Sequence, residues 1–231
     1  MFIPLSDKEP NRYSGFSSVT LVLIGLNVLI YAYEEALAVS APENLYFLFY
    51  FFGVVPKWIW AQQGLGAVSA ITVAFLHGGM AHLLGNMLFL WAFGRRVEDA
   101  CGRWRFLCFY LLCSVTATLA HVIIHSQGEL PGIGASGAVS GVMAAYLILY
   151  PWGRINTIFF PLPIRFSVRA FWLLIYFLII SNVIPALQVL FSQADFQVAY
   201  WAHLGGLIGG TSIFLFMRPE AIYRFWRQDS V

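Results

Sequence analysis

The stretch Pro131-Gly132-Ile133-Gly134-Ala135-Ser136-Gly137-Ala138-Val139-Ser140-Gly141 decides how this chain reads. It opens an apolar run that continues to Tyr150. The Pro-Gly pair marks a turn, and small residues then crowd the start of a predicted helix. Ser136 sits between Ala135 and Gly137, where little side chain shields its hydroxyl. Backbone N–H groups at a helix start favour a developing anion, which is what a nucleophilic serine needs. Taken alone, the stretch has a simpler reading as a close helix–helix contact, because small residues at every fourth position let backbones approach.

The surroundings of this stretch are those of a membrane protein. Of 231 residues, 60% are hydrophobic and only 10% are charged, and the mean hydropathy is +0.75. A soluble domain carries about 25% charged residues. Apolar runs separated by short polar breaks predict an all-α, multi-pass protein with the lipid bilayer as its solvent, rather than a barrel. The net charge of +2 is spread over loops, so no nucleic-acid partner is expected. Cys101, Cys108 and Cys113 fall together in one apolar stretch, which argues against a disulfide framework. The first apolar run is too long for a cleavable leader and lacks a small-residue cleavage site.

Six transmembrane helices are predicted. The first covers about Val19 to Tyr33 or one turn beyond, with Glu34, Glu35 and Glu43 following it. After it, residues 37–68 are aromatic-rich but broken by proline and glycine, and read as interfacial. The second span starts within 69–80 and ends near Phe93. The third covers Phe106 to about Ile124, the fourth Ser136 to Tyr150, the fifth about Ala170 to Val183 or as far as Leu190, and the sixth about Tyr200 to Met217. Three prolines mark Pro151 to Arg169 as a loop. Residues 1–18 then form a short cytoplasmic tail, 19–217 the membrane domain and 218–231 a basic cytoplasmic tail. With both termini inside, Lys8, Arg12, Arg95, Arg96, Arg103, Arg105, Arg154, Arg165, Arg169, Arg218, Arg224 and Arg227 all face the cytoplasm. That is all but one of the 13 lysines and arginines, Lys57 being the exception.

Polar residues inside apolar spans are functional candidates. His82, Asn86, Ser136 and His203 each lie within about three turns of the outer end of their span, and so share one depth. A serine hydroxyl is a weak nucleophile until a base takes its proton, and histidine can do this near neutral pH. Gly206 and Gly210 share a face with His203. They form a small-residue stripe that matches Gly137 and Gly141 on the fourth span. Packing the two stripes sets the imidazole beside the hydroxyl. The alternative is a histidine that only bonds backbone across that contact. His82 and Asn86, four apart, can donate to an oxyanion together with the Ser136 backbone N–H. The alternative there is a polar helix–helix contact. No carboxylate falls at the right depth, so a Ser-His dyad is expected rather than a triad. His77 and His82 are five apart, off the spacing of a helical metal pair. His121 and His125 have that spacing but no accompanying cluster. No metal and no cofactor is expected.

Together these residues resemble the rhomboid family of intramembrane serine proteases. Gly134-Ala135-Ser136-Gly137 matches the family's GxSG, and Ala202-His203 with Gly206 and Gly210 matches its AH plus GxxxG. His77, His82 and Asn86 match its HxxxxHxxxN. Glu98 after Gly94 resembles its structural glutamate. The resemblance implies Ser136 as nucleophile, His203 as base, and His82 and Asn86 in the oxyanion hole. His77, Glu98 and the glycines 134, 137, 141, 206 and 210 then take structural roles. It further implies transmembrane-protein substrates with small or helix-breaking residues near the cut. The fifth span and the 184–199 loop would act as gate and cap. A bacterial-type plasma membrane is the expected location. Two departures stand out: Ser140 occupies a position where many relatives place an aromatic, and the first outer loop lacks a Trp-Arg dipeptide.

Two other functions compete. An inactive relative that binds membrane proteins would usually lack the serine or the histidine, and this chain keeps both. A small transporter would be expected to show broken helices in internal repeats, and no repeat is visible.

Overall fold

The computed structural model describes residues 2–9, 16–159, 162, 164–185, 187–188 and 200–220. Helix α1 spans Ser18–Ser40. Two shorter helices follow, α2 (Pro42–Phe52) and α3 (Pro56–Trp60), each opened by proline, whose missing N–H costs nothing at a helix start. α4 (Gly66–Phe75) and α5 (Met80–Cys101) are two pieces of one apolar run, bent by 87° at the break between them. Gly102, at φ +84, turns the chain directly into α6 (Arg103–Ile124). α7 covers Ser136–Leu149. α8 (Ala170–Leu178) runs on as a π-helical turn, Ile179–Val183. α9 spans Tyr200–Met217.

By length and composition, α1 and α6 can each cross a membrane, α4 with α5 make a third, broken span, and α7 is a shorter apolar helix. Two boundaries differ from the sequence reading. α1 continues to Ser40, so Glu34, expected beyond the span, lies on the helix and is buried. The second span is interrupted at Leu76–Gly79, where the chain leaves the helix and re-enters it at a new angle. The basic residues Arg224 and Arg227, and most of the 184–199 loop, lie outside the described residues, as does Arg12.

The expectation of an all-α protein is corrected by a three-stranded antiparallel sheet of order β1-β2-β3. β2 (Arg154–Phe159) and β3 (Ile164–Arg169) pair from Arg154↔Arg169 to Phe159↔Ile164. β3 alternates apolar and polar residues, and both strands are rich in β-branched and aromatic residues, a strand signal. The prolines that predict a loop flank the strands instead of interrupting them. β1 (Phe2–Asp7) comes from the N-terminal segment and pairs with β2, with a register shift between Pro4 and Ser6. Its end is pinned to the helices. The Arg96 Nε–H donates to Asp7 Oδ2 at 2.5 Å, with the two side chains 10% and 0% exposed. The Tyr146 hydroxyl donates to the same oxygen at 3.4 Å.

Glu98 closes the start of α1 from another helix. Its carboxylate accepts the backbone N–H groups of Val19 (2.9 Å) and Thr20 (2.8 Å) and the Thr20 hydroxyl (2.7 Å). These first-turn donors have no partner within their own helix, and an anion suits that end of the dipole. The core beneath is aromatic, with Phe93, Phe106, Phe109, Tyr110, Tyr146, Tyr150 and Phe214 all buried.

Two of the ion pairs, one buried and one exposed, offer a test. Asp7→Ala leaves the Arg96 charge buried without this partner, a change that costs about 3–5 kcal/mol. Lys57→Ala breaks the Lys57–Glu129 pair, whose side chains are 52% and 71% exposed, and should cost about 0–1 kcal/mol. Thermal unfolding in detergent should show a large loss for the first and almost none for the second. Equal melting temperatures would deny β1 its anchoring role.

Candidate active site

Ser136 is the first residue of α7, and Ala135 before it offers no capping side chain. The first N–H groups of a helix have no intrahelical partner, and here no side-chain cap takes their place. The loop into Ser136 is held from behind. Gly132 and Val54 exchange backbone hydrogen bonds of 2.8 and 2.9 Å, and the Gly134 N–H donates to the Val73 carbonyl at 3.0 Å. Gly134 has φ +127, and a Cβ there would stand 2.7 Å from His82 Cε1 and Nε2. Glycine is required on both counts.

α9 carries glycine on two faces. A Cβ on Gly206 would overlap the carbonyl of Gly137, and one on Gly210 would overlap the backbone of Gly141. On the other face, Gly205 and Gly209 would overlap Ala120 and Thr116 of α6. Gly137 and Gly141 in turn meet Ala117 and Cys113 of α6. Three helices thus converge on one glycine-lined seam. At its Ser136 end, Ser136 Oγ lies 2.7 Å from His203 Nε2.

The other ring nitrogen is occupied too. His203 Nδ1 lies 2.6 Å from Asn182 Oδ1, and Asn182 Nδ2 donates to the Phe177 carbonyl at 2.8 Å. Asn182 is absent from the residues that spacing singles out. An amide in an apolar span is itself a signal, but Asn182 sits at the end of the fifth span, where a polar residue also reads as its boundary.

His77 lies in the break between α4 and α5 and is 1% exposed. Its backbone N–H faces both carboxylate oxygens of Glu34, at 3.2 and 3.3 Å. Its Nε2 lies 3.0 Å from Asn86 Nδ2, and its ring meets that of His82 edge-on at 5.1 Å. Asn86 is buried, whereas His82 is exposed beside Gly134. An amide nitrogen carries two protons, so Asn86 keeps one beyond its contact with His77. The Ser140 hydroxyl turns back along its own helix and donates to the Ser136 carbonyl at 2.8 Å. The rings of His121 and His125 lie 4.9 Å apart near the end of α6. Among the described residues no group of three or more His, Cys, Asp or Glu side chains is placed to hold a metal. Cys101, Cys108 and Cys113 are free thiols.

The Rhomboid domain description matches residues 64–220, which hold Ser136, His203, His82 and Asn86. The chain belongs to the rhomboid family. Its members are integral membrane proteins. The chain is 33% identical over 140 residues to rhomboid protease GluP of Bacillus subtilis (strain 168), a match covering 61% of this chain and 24% of that protein. It is 28% identical over 169 residues to the mitochondrial presenilin-associated rhomboid-like protein A of Danio rerio, covering 67% and 40%. It is 38% identical over 77 residues to RHOMBOID-like protein 5 of Arabidopsis thaliana, covering 33% and 25%. The matched region thus spans 40% or less of each relative's own length.

In this rhomboid chain the seam between α7 and α9 can be tested directly. Gly206→Val should lower the melting temperature in detergent, because the new side chain must displace the Gly137 backbone, and overpacking costs about 1–3 kcal/mol. Gly85→Ala is the control: a Cβ there meets nothing within 4 Å, and alanine is the better helix former. A Gly206→Val protein that melts with the parent would move this face of α9 away from α7.

Proposed function

We propose that this rhomboid is an intramembrane serine endopeptidase that cuts a peptide bond in or next to the transmembrane segment of a membrane-protein substrate. The observation that carries this is the 2.7 Å contact of Ser136 Oγ with His203 Nε2, at a helix start with no side-chain cap. In this reading the Ser136 oxygen attacks the scissile carbonyl carbon while His203 Nε2 takes its proton. The carbonyl oxygen becomes an oxyanion, held by the Ser136 N–H and by the side chains of His82 and Asn86. Collapse breaks the C–N bond, and His203 returns the proton to the leaving amine. Water, activated by the same imidazole, then frees the acyl group and restores the serine.

The membrane setting follows from charge. Six spans with both termini in the cytoplasm leave only Lys57 outside among the lysines and arginines, and bring Ser136, His203, His82 and Asn86 to the outer leaflet. Residues 19–217 then form the protease domain, preceded by a cytoplasmic segment that contributes β1 to the sheet and followed by a basic cytoplasmic tail, in a multi-pass protein of a bacterial-type plasma membrane. Its partners are transmembrane substrates and the bilayer.

Removing the Ser136 hydroxyl tests the nucleophile. Ser136→Ala should abolish cleavage of fluorescent transmembrane substrates and labelling by a fluorophosphonate, with an unchanged melting temperature. Equal cleavage by parent and variant would overturn the assignment. A parent that neither cleaves nor labels would favour an inactive, membrane-protein-binding relative.

The oxyanion donors are tested by separating rate from stability. Asn86→Ala should cut kcat by about 10- to 1,000-fold, since one lost donor costs about 2.7–4 kcal/mol and redundancy softens it. KM should move little. Adding His82→Ala should be less than additive, because both donors serve one charge. A fall in melting temperature with an unchanged kcat would leave these residues as packing only.

A further inference from the structure

A neutral imidazole has one N–H and one bare nitrogen, and only the bare one can take a proton from serine. Which nitrogen is bare at His203 follows from a residue on a different helix. Asn182 Nδ2 donates to the Phe177 carbonyl at 2.8 Å. That bond fixes the amide, because the flipped orientation would set Oδ1 against the Phe177 oxygen, acceptor against acceptor. With the amide fixed, Oδ1 faces His203 Nδ1 at 2.6 Å. An amide oxygen only accepts, so Nδ1 must carry the proton. Nε2 is then bare and accepts from the Ser136 hydroxyl at 2.7 Å.

We propose that Asn182 is the positioning residue of the base, holding His203 through Oδ1 as the Nδ1–H tautomer with its bare Nε2 aimed at Ser136. This rests on the reading of Ser136 and His203 as nucleophile and base. The chain Phe177 carbonyl, Asn182, His203, Ser136 is a line of four groups in which each proton has one place. An amide does this work without placing a charge at a depth where a carboxylate is costly. It orients the ring and its dipole steadies the imidazolium, but it supplies no countercharge. The π-helical turn Ile179–Val183 contains Asn182, and such turns recur at functional sites.

The test reads the tautomer and the rate separately. The protein is labelled with 15N-histidine in detergent, with His203 assigned by its loss in His203→Gln. The parent should show a protonated Nδ1 and a bare Nε2 at neutral pH. Asn182→Ala should lose that single tautomer and drop kcat by about 10-fold or more, with KM and melting temperature nearly unchanged, since a mis-set tautomer disables a histidine base. Asn182→Asp should restore Nδ1–H and much of kcat. It should also move the acid limb of kcat/KM to higher pH, because a carboxylate favours the imidazolium.

A parent His203 protonated on Nε2, or an Asn182→Ala protein with the parent's tautomer and kcat, would overturn the proposal. So would a lowered melting temperature with both left intact. Should Asn182→Asp fail to fold, the tautomer and kcat of Asn182→Ala decide alone. The tautomer is read without turnover. A parent that cleaves nothing sinks the protease reading, and the nitrogen shifts still decide the place of Asn182.

Discussion

Gly206 of α9 rests against the carbonyl of Gly137 on α7, and a single added carbon would overlap it. In lipid, helices gain nothing by hiding apolar surface from each other, so close van der Waals contact and polar bonds must hold them. Glycine permits that contact over two turns, at Gly206–Gly137 and Gly210–Gly141. The same contact sets the distance between Ser136 and His203. A hydrogen bond weakens steeply with misalignment, and an ångström of misplacement can cost a hundredfold in rate. The backbone seam therefore fixes the geometry, and the two side chains report it.

A second constraint shapes the rest. A polar group away from water is costly unless paired, and here the pairs join elements far apart in the chain. Glu98 closes the start of α1, Glu34 of α1 holds the broken backbone at His77, and Asp7 ties the sheet to Arg96. Each pair spends its hydrogen bonds on fixing where an element starts, breaks or docks. The break at His77 is one such place. It frees a backbone N–H that Glu34 then accepts, and it swings α5 by 87° so that His82 faces Gly134.

Ser136, His203 and the glycine stripes were legible in the sequence because each is a local pattern, a period of four along a helix or a polar residue in an apolar run. The sheet was not. β1 and β2 are about 150 residues apart, and the prolines around β2 and β3 carry a loop signal stronger than six alternating residues. The break at Leu76–Gly79 was legible in part, since Gly78-Gly79 is a breaker pair inside the interval where the second span was expected to start, but no local pattern gives its 87° angle. Glu34 fell beyond the expected end of its span, near Tyr33, whereas α1 runs on to Ser40. Its partner is a backbone N–H 43 residues away, which no periodicity announces. Asn182 escaped for the same reason: its bond to His203 is set by how α8 and α9 meet.

That last contact divides the candidate site between two kinds of support. Ser136 and the body of α9 are set by backbone against backbone, where displacement meets hard overlap. The tilt and proton of the His203 ring are set by one side chain, Asn182, on the π-helical turn that continues α8, a helix whose buried residues are Ala170, Leu173, Leu174 and Phe177. Phe177 packs edge-on against Phe89 of α5 at 4.7 Å, and its carbonyl orients Asn182. A shift of α8 by an ångström or two would break the Asn182–His203 bond and leave Ser136 and the glycine seam unmoved. The position of His203 thus belongs to the seam, while its protonation pattern belongs to the seating of α8.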